Sequence, residues 1–289
     1  MQNILVTGAH GQLGQAIQLI AGSFPDLNFI YTDYQELDIT NPEAVAGLFS
    51  QQEIHACINC AAYTAVDKAE TDEERAFQLN FEAVLNLAEA CLQHNAQLVH
   101  ISTDYVFDGK YYRPYTEEDE ANPQSIYGAS KLRGEAAAIG ANPNTIVIRT
   151  AWLYSQFGVN FVKRMKELMQ ERPSLNVVFD QAGTPTYAVD LAKAVLQILQ
   201  YRKENPDTNV SGIYHYSNEG VTSWYDFAVT VKELTGAACE VSPITTDLYP
   251  TPAQRPAYSV LNKQKIKTTF GIQVPYWKDS LKVCLQHLQ

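Results

Sequence analysis

The chain has 289 residues, of which 46% are hydrophobic and 18% are charged, and its formal net charge is −11. This length and apolar content support a sizeable core in one large or two unequal domains and exclude intrinsic disorder. A sequence pI near 5.0 argues against nucleic acid or an anionic membrane as the main partner. No apolar run reaches the roughly 18 residues that a membrane span needs, and the N-terminus is typical of a strand and a turn rather than a signal peptide. We therefore expect a cytoplasmic protein.

The chain contains five cysteines, an odd number that argues against a disulfide framework. Cys57 and Cys60 form a CxxC pattern inside an apolar run. A redox pair or half of a metal site would fit this spacing, but no second CxxC or histidine pair completes a site. We interpret the two thiols as small buried side chains in a reducing compartment and expect no metal.

The first half of the chain alternates short β-rich runs with helical patterns. Strands are predicted at residues 3–6, 29–32, 54–60, 98–102 and 146–149, and helices at 13–21, 42–50 and 125–138, with Asn41 capping the second helix. This alternation predicts a doubly wound parallel sheet with helices on both faces, a Rossmann-like α/β fold over residues 1–150.

A further helix is predicted after Thr71, because residues 71–74 match a capping box. Its apolar side chains recur at helical spacing and predict one buried face. The predicted face consists of Phe77, Phe81, Val84, Leu85, Ala88 and Leu92.

After residue 150 the pattern loosens. Helices remain at 161–170, 189–201 and 224–235, strands near 176–179 and 213–216, and a proline-rich loop at 248–256. We predict that residues 151–289 form mainly a smaller substrate-binding lobe, with some segments returning to the first domain.

Three glycines follow the first predicted strand and open the first helix. Gly8 permits a tight turn, Gly11 lets the backbone approach phosphates, and Gly14 lets the helix pack close to the sheet. A helix N-terminus with free N–H groups attracts a pyrophosphate. Glycines also collect in ordinary loops, but the strand–turn–helix context favours dinucleotide binding.

Asp33 ends the second predicted strand, 33 − 14 = 19 positions after the last glycine. An acid at this distance accepts hydrogen bonds from the adenosine ribose hydroxyls, although a simple turn aspartate would also fit. Residues 1–67 contain seven acids and no Lys or Arg, a sum of −7. A 2′-phosphate would find no cation there except His10, so local charge favours NADH over NADPH.

Tyr127 and Lys131 are four residues apart on a predicted helix, so the phenol and the ammonium share one face. About one such pair is expected by chance in this composition, and a half-buried Tyr beside a surface Lys would also fit. Thr103, however, follows a strand at the edge where open α/β sheets bind ligands. Together these residues predict a proton-transfer site in which Lys131 lowers the pKa of Tyr127.

The TGxxGxxG and YxxxK patterns together resemble the extended short-chain dehydrogenase/reductase superfamily. Further runs resemble the dTDP-4-dehydrorhamnose reductase family in order and spacing, at residues 59–70, 102–107, 127–131, 149–154, 183–186 and 252–256. The resemblance implies NADPH- or NADH-dependent reduction of the 4-keto group of dTDP-6-deoxy-L-lyxo-4-hexulose to dTDP-L-rhamnose. That reaction is the last step of dTDP-rhamnose biosynthesis.

The resemblance also implies roles for matching residues. Tyr127 would be the general acid with Lys131 and Thr103 as its partners, and Asn80 would support the lysine through water. The cofactor would contact Gln12, Leu13, Asp33, Asp38, Ile39, Ala62, Tyr63 and Thr64, besides Gly8, Gly11, Gly14, Tyr127 and Lys131. The nucleotide-sugar would contact Thr103, Asp104 and Trp152. Arg255 is our candidate for the substrate diphosphate because Arg binds phosphate as a fork, although a surface loop charge would also fit.

Some relatives form dimers that are bridged by Mg²⁺ through glutamates. The matching positions hold Ala16 and Val189, which argues against a metal-linked dimer and leaves a monomer or another homodimer. An epimerase or 4,6-dehydratase of the same superfamily is an alternative, but Tyr105 stands where such dehydratases carry a glutamate. A noncatalytic regulatory subunit, resembling that of methionine adenosyltransferase, is a second alternative, but it would not need an intact proton-transfer site.

Overall fold

The computed structural model describes residues 1–288, and a sheet of six parallel strands lies at its centre. Residues 1–288 form twelve strands, of which six belong to this sheet. In chain order they are β1 (Gln2–Thr7), β2 (Leu27–Thr32), β3 (Ala56–Asn59), β4 (Gln97–Thr103), β5 (Ile146–Thr150), β6 (Leu153–Tyr154), β7 (Ser174–Val178), β8 (Ala182–Gly183), β9 (Thr186–Tyr187), β10 (Gly212–His215), β11 (Thr222–Ser223) and β12 (Glu240–Ile244). The central sheet has the order β2-β1-β3-β4-β5-β10, and every neighbouring pair is parallel. The chain reverses direction across the sheet between β1 and β3, and such a switch point is where open α/β sheets bind ligands.

Helices cover both faces of the sheet and build the rest of the fold. They are α1 (Gln12–Ile20), α2 (Pro42–Gln51), α3 (Val66–Ala69), α4 (Glu73–Phe77), α5 (Ala83–Gln93), α6 (Ile126–Ala141), α7 (Phe161–Glu171), α8 (Ala188–Glu204), α9 (Trp224–Thr235), α10 (Gln264–Phe270) and α11 (Trp277–Gln286). Short 3₁₀ turns occupy Ala21–Ser23, Asp104–Val106 and Thr246–Leu248. The predicted cap of α2 is confirmed, because the Asn41 side chain accepts a hydrogen bond from the Ala44 N–H.

The central strands are buried on both faces, as in a doubly wound sheet. Side chains alternate along a strand, so Ile4 and Val6 of β1 enter the core beneath α1 and α8, while Leu5 enters the core beneath α2 and α5. The predicted Rossmann-like class is confirmed.

The helix predicted after Thr71 differs in its start and in its buried face. Thr71 does not cap it, since its hydroxyl donates to the Lys68 carbonyl, and the helix begins at Glu73. A π-helical turn at Gln78–Glu82 joins α4 to α5. Beyond this turn the prediction is confirmed at Val84 and Ala88, which are fully buried. It was wrong at Leu92, which lies near the end of α5 and is 45% exposed, while Leu87 is buried.

A second core lies outside the central sheet. The parallel pair β7–β12 packs with α7, α9 and α11 around Phe227 and Trp277. In contrast, β10 pairs with β5 in the central sheet and α8 packs against α1, so this part of the second half lies with the first. A domain boundary at residue 150 remains a prediction.

The thiols of Cys57 and Cys60 are both free, as are Cys91, Cys239 and Cys284. Within residues 1–288, no helix combines the length and the apolar character that crossing a bilayer requires.

Candidate active site

A cleft of about 860 Å³ opens at the carboxyl edge of the sheet, over the switch point. Most of the residues singled out from the sequence meet in its lining. They are Gly8, Gly11, Gln12, Leu13, Asp33, Asp38, Ile39, Ala62, Thr64, Thr103, Asp104, Tyr127, Lys131 and Trp152. Gly14, Tyr63, Asn80 and Arg255 lie outside this lining.

The glycine turn has no room for side chains. Gly8 has φ +63°, and a Cβ there would lie 2.7 Å from backbone atoms of Ala61. A Cβ at Gly14 would lie 2.5 Å from the Gly8 carbonyl oxygen, so Gly14 holds α1 against the turn. The turn therefore presents bare backbone to the cleft, as close approach of a pyrophosphate requires.

Asp33 lies beside this turn and is fixed by it. Its carboxylate accepts hydrogen bonds from the backbone N–H groups of His10 (2.9 Å) and Tyr34 (2.8 Å). The carboxylate remains partly exposed at the cleft. Its position and its charge fit a pair of ribose hydroxyls.

Three other predicted cofactor residues make hydrogen bonds within the protein. Asp38 accepts from the N–H (2.9 Å) and the hydroxyl (2.7 Å) of Thr40, so its side chain shapes the turn before α2. The Tyr63 hydroxyl donates to Asp72 at 3.0 Å. Gln12 accepts from Ser155 (2.9 Å), which ties the glycine turn to the second half of the chain.

Asn80 lies in the π turn and anchors the loop before α3. Its amide oxygen accepts from the Tyr63 N–H (2.9 Å), and its amide nitrogen donates to the Tyr63 carbonyl and to Ser130 (both 3.0 Å). Ser130 in turn donates to the Tyr127 carbonyl. Gly134 permits this approach, since a Cβ there would lie 2.0 Å from the Asn80 carbonyl oxygen. Support of Lys131 by Asn80 through water remains a prediction.

Tyr127 is half-buried in the cleft beside Thr103 and Asp104. Burial raises the pKa of Tyr127 to about 12, against the lowering effect of a hydrogen bond with the Thr103 side chain. The prediction that Lys131 lowers the pKa of Tyr127 was therefore wrong for this structure. The physical reason is that the Lys131 ammonium donates to the Ile101 carbonyl at 2.7 Å, and burial dominates at Tyr127.

Lys131 and Asp104 are both displaced from their usual ionisation by burial. Burial lowers the pKa of Lys131 to about 8, opposed by the charge of Glu135. Burial raises the pKa of Asp104 to about 6, although Asp104 accepts a hydrogen bond from Thr103 at 3.1 Å. The site thus holds a protonated phenol, a hydroxyl and two groups that titrate near neutral pH.

Trp152 forms the far wall of the cleft in a strained backbone conformation. Its φ is +48°, which a bulky residue rarely adopts. The indole stacks on Trp224 with ring centroids 3.6 Å apart, and a Cβ at Gly183 would lie 2.6 Å from it. Trp224 was missed from the sequence because no local pattern links it to Trp152, 72 positions away.

A second cleft of about 1100 Å³ adjoins the first and shares Val159 and Trp224 with it. Arg255 lies in its lining, and both guanidinium nitrogens of its fork donate to Asp67, at 3.0 and 2.8 Å. This contact lowers the pKa of Asp67. Arg164 and Arg172 also line this cleft.

Asp67 and Arg75 are two of the charged residues at these clefts that sequence reasoning did not single out as site residues. Asp67 could not be paired with Arg255, because 188 positions separate them. Arg75 lines the first cleft, so the structure brings a cation there that the count over residues 1–67 did not include.

A glycine turn at the switch point of a parallel sheet, opposite a Tyr–Lys pair in the same cleft, defines a dinucleotide-dependent oxidoreductase. The chain belongs to the family described as RmlD substrate binding domain, whose model matches residues 1–289. The resemblance stated from the motifs is thus confirmed.

Individual relatives match over almost the whole chain. A dTDP-4-dehydrorhamnose reductase of Sinorhizobium fredii is 42% identical, over 96% of this chain and 95% of its own. The crystal structure of a dTDP-4-dehydrorhamnose reductase from Clostridium acetobutylicum is 46% identical, covers 100% of both chains and superposes with a TM-score of 0.94. The enzyme from Bacillus anthracis, solved in complex with NADP, is 35% identical, covers 99% of both chains and has a TM-score of 0.93.

Proposed function

We propose that this chain uses NADPH or NADH to reduce the 4-keto group of dTDP-6-deoxy-L-lyxo-4-hexulose to dTDP-L-rhamnose. The observation that carries the proposal is the meeting of the half-buried phenol of Tyr127 with the glycine turn in one cleft. The identity of the substrate is inferred from the relatives named above, which match over nearly their full length. The reaction is the last step of dTDP-rhamnose biosynthesis.

The cofactor residues fit a dinucleotide. The reduced nicotinamide supplies a hydride when it is bound. Gly8, Gly11 and Gly14 leave bare backbone for the pyrophosphate, and Asp33 accepts from the adenosine ribose. Gln12, Leu13, Asp38, Ile39, Ala62, Tyr63 and Thr64 are the further proposed cofactor contacts.

Tyr127 is the proposed general acid. A pKa of about 12 keeps the phenol protonated throughout the physiological range, so a proton is available as negative charge develops on the keto oxygen. Thr103 orients that oxygen by a hydrogen bond. Lys131 lies four residues further along α6 and resupplies the proton, and Asn80 holds the turn that carries Tyr127.

The substrate side of the cleft fits a nucleotide-sugar. The sugar lies between Tyr127 and the Trp152 wall, with Asp104 beneath it, and the nucleotide extends into the second cleft. Arg255 is the proposed diphosphate ligand, supported by its place in that cleft and its fork geometry. Both ends of the fork donate to Asp67 before the substrate arrives, so diphosphate binding would exchange this carboxylate for phosphate oxygens.

Both cofactors fit, and the local charge favours NADH. The seven acids of residues 1–67, Asp33 among them, disfavour a 2′-phosphate. Arg75 offsets part of this charge, and the relative from Bacillus anthracis binds NADP.

Location and assembly are part of the proposal. Five free thiols fit a reducing cytoplasm. A monomer or a homodimer fits the chain, and Ala16 and Val189 supply no carboxylate for a bridging metal. The partner is the dTDP-sugar alone, with no nucleic acid and no membrane.

The test is the absorbance of the reduced nicotinamide with the keto-sugar generated in situ, using NADH and NADPH in turn. Stoichiometric loss of absorbance, with dTDP-L-rhamnose as product, is the expected result. A folded protein that binds either cofactor and consumes neither would overturn the proposal and favour an epimerase or a regulatory subunit. The ratio of the two rates measures the cofactor preference.

A further inference from the structure

A row of buried polar side chains runs beneath the cleft from Lys131 to the first strand. The Lys131 Nζ lies 3.3 Å from Nε2 of His100, and Nδ1 of His100 lies 3.1 Å from Nδ2 of Asn59. The Asn59 amide oxygen accepts from the Thr7 hydroxyl at 2.7 Å. The four side chains are 0 to 2% exposed, and three of them are register partners across β1, β3 and β4. Of these four side chains, only Lys131 has a role in the proposed reaction.

The orientation of the Asn59 amide follows from a backbone contact. The Ala61 N–H points at one end of this amide at 3.2 Å. A backbone N–H can only donate, so the atom that it meets is the oxygen. The NH₂ end of Asn59 therefore faces His100.

This orientation selects one tautomer of His100. An amide NH₂ only donates, so Nδ1 of His100 must accept and carry no proton. Burial and the neighbouring Lys131 charge lower the pKa of His100 well below its usual value, so the ring is neutral. The single ring proton of His100 then lies on Nε2 and points at the Lys131 nitrogen.

A lysine ammonium has three N–H donors and no lone pair, whereas the neutral amine has a lone pair that accepts. Only neutral Lys131 can therefore accept the His100 N–H, while it still donates to the Ile101 carbonyl. We propose that Asn59 and His100 are positioning residues that present an imidazole N–H to Lys131 and thereby stabilise its neutral amine.

Other charged groups around Lys131 act with or against this pair. Glu135, one turn further along α6, favours the ammonium. Arg149 of β5 holds Glu135 in a buried ion pair at 2.7 Å, and the Ser102 hydroxyl also donates to Glu135, so much of that carboxylate charge is compensated. Tyr127, on the same helix, is protonated and adds no charge. The result is a lysine whose pKa of about 8 makes both of its forms accessible near neutral pH.

The consequence for the reaction rests on the proposed function. Tyr127 gives its proton to the sugar oxygen and becomes a phenolate. The Lys131 ammonium returns a proton to the phenolate and becomes the neutral amine that His100 stabilises, and water then reprotonates Lys131. One proton enters from solvent in each turnover, and the protonation of His100 and Asn59 does not change. A proton carrier is most effective when its pKa lies near the working pH.

The first measurement needs neither cofactor nor substrate. The ¹⁵N chemical shifts of the His100 ring, in cofactor-free protein labelled at histidine, distinguish the two tautomers. We expect a bare Nδ1 and a protonated Nε2. A proton on Nδ1, or on both nitrogens at neutral pH, would overturn the inference.

The second measurement reverses the tautomer by Asn59→Asp. A carboxylate in place of the amide accepts from Nδ1–H, so Nε2 becomes an acceptor for the lysine ammonium. We expect the pKa of Lys131 to rise by about one unit or more, a tenfold change in the ratio of its forms. The readout is the NMR titration of ¹³C-labelled lysine in cofactor-free protein, with the Lys131 signal assigned by Lys131→Arg.

Asn142→Asp is the matched control, because Asn142 is equally buried but lies just beyond the far end of α6. It should leave the pKa of Lys131 and the tautomer of His100 unchanged. An Asn59→Asp protein with wild-type tautomer and wild-type Lys131 pKa would overturn the inference even if the enzyme reduces the keto-sugar. Conversely, the expected tautomer and pKa shift in a protein without reductase activity would support the inference and overturn the proposed function.

Discussion

The cofactor side and the substrate side of the proposed site offer a phosphate different groups. On the cofactor side, the glycine turn offers backbone N–H groups in a stretch of −7 formal charge without any Lys or Arg. On the substrate side, Arg164, Arg172 and Arg255 line the adjoining cleft. Backbone groups select a phosphate by close approach, whereas guanidinium groups select it by charge and fork geometry. A strongly acidic chain can thus offer a phosphate two surfaces of different chemistry, one of backbone N–H groups and one of guanidinium groups.

The halves also differ in how the chain assembles them. The cofactor side comes from the ends of β1, β2 and β3, which are neighbours in the sheet. The substrate side joins Trp152 to Trp224 and Asp67 to Arg255, contacts between distant parts of the chain. Substitutions on one side should therefore separate cofactor binding from substrate binding.

The largest expected effect is at Tyr127, where the two halves meet. Tyr127→Phe removes the acid and keeps the ring, so kcat should fall by roughly 10²–10⁴ while the cofactor Kd barely moves. Steady-state kinetics and cofactor titration measure the two quantities. Unchanged turnover would remove Tyr127 from the mechanism.

The next effect isolates the substrate half. Trp224→Ala removes the stacking partner of Trp152, so KM for the nucleotide-sugar should rise by about tenfold or more, with little change in cofactor Kd. Tyr112→Ala is the control, because Tyr112 is 95% exposed and lines neither cleft. Equal losses of cofactor and substrate affinity would contradict the separation of the two halves.

The matching change in the cofactor half is Gly8→Ala. The added Cβ meets the Ala61 backbone at a positive φ, so we expect about tenfold weaker cofactor binding and a free energy of unfolding lowered by about 1–3 kcal/mol. Urea unfolding and cofactor titration measure these changes. Gly22→Ala is the control, since nothing lies within 4 Å of its Cβ position, and a similar loss there would show that the turn is not special.

The smallest effect concerns the choice of cofactor. Asp33→Ala removes an acceptor for the ribose hydroxyls and a charge that repels a 2′-phosphate. KM for NADH should therefore rise several-fold more than KM for NADPH. If both rise equally, Asp33 does not contact the ribose.

Local patterns carried much of the prediction. The Gly8–Gly14 turn and the Tyr127–Lys131 pair were predicted because each is a short contiguous run in which spacing determines geometry. The prediction was wrong at Leu92, although Val84 and Ala88 of the same predicted face are buried, because periodicity does not show where the surrounding fold stops covering a helix. The prediction of a lowered pKa for Tyr127 was wrong because the pKa depends on burial, and burial depends on the surrounding fold.

The sequence alone determined the class of fold, the glycine turn, the proton-transfer pair and the family, since all of these are written in short, contiguous runs. Only the tertiary structure decided which distant side chains meet. It stacked Trp224 on Trp152, paired Asp67 with Arg255 and aligned Asn59 with His100 in register across the sheet. The physical reason is that such contacts depend on how sheet, helices and loops pack in three dimensions, and no spacing along the chain encodes them.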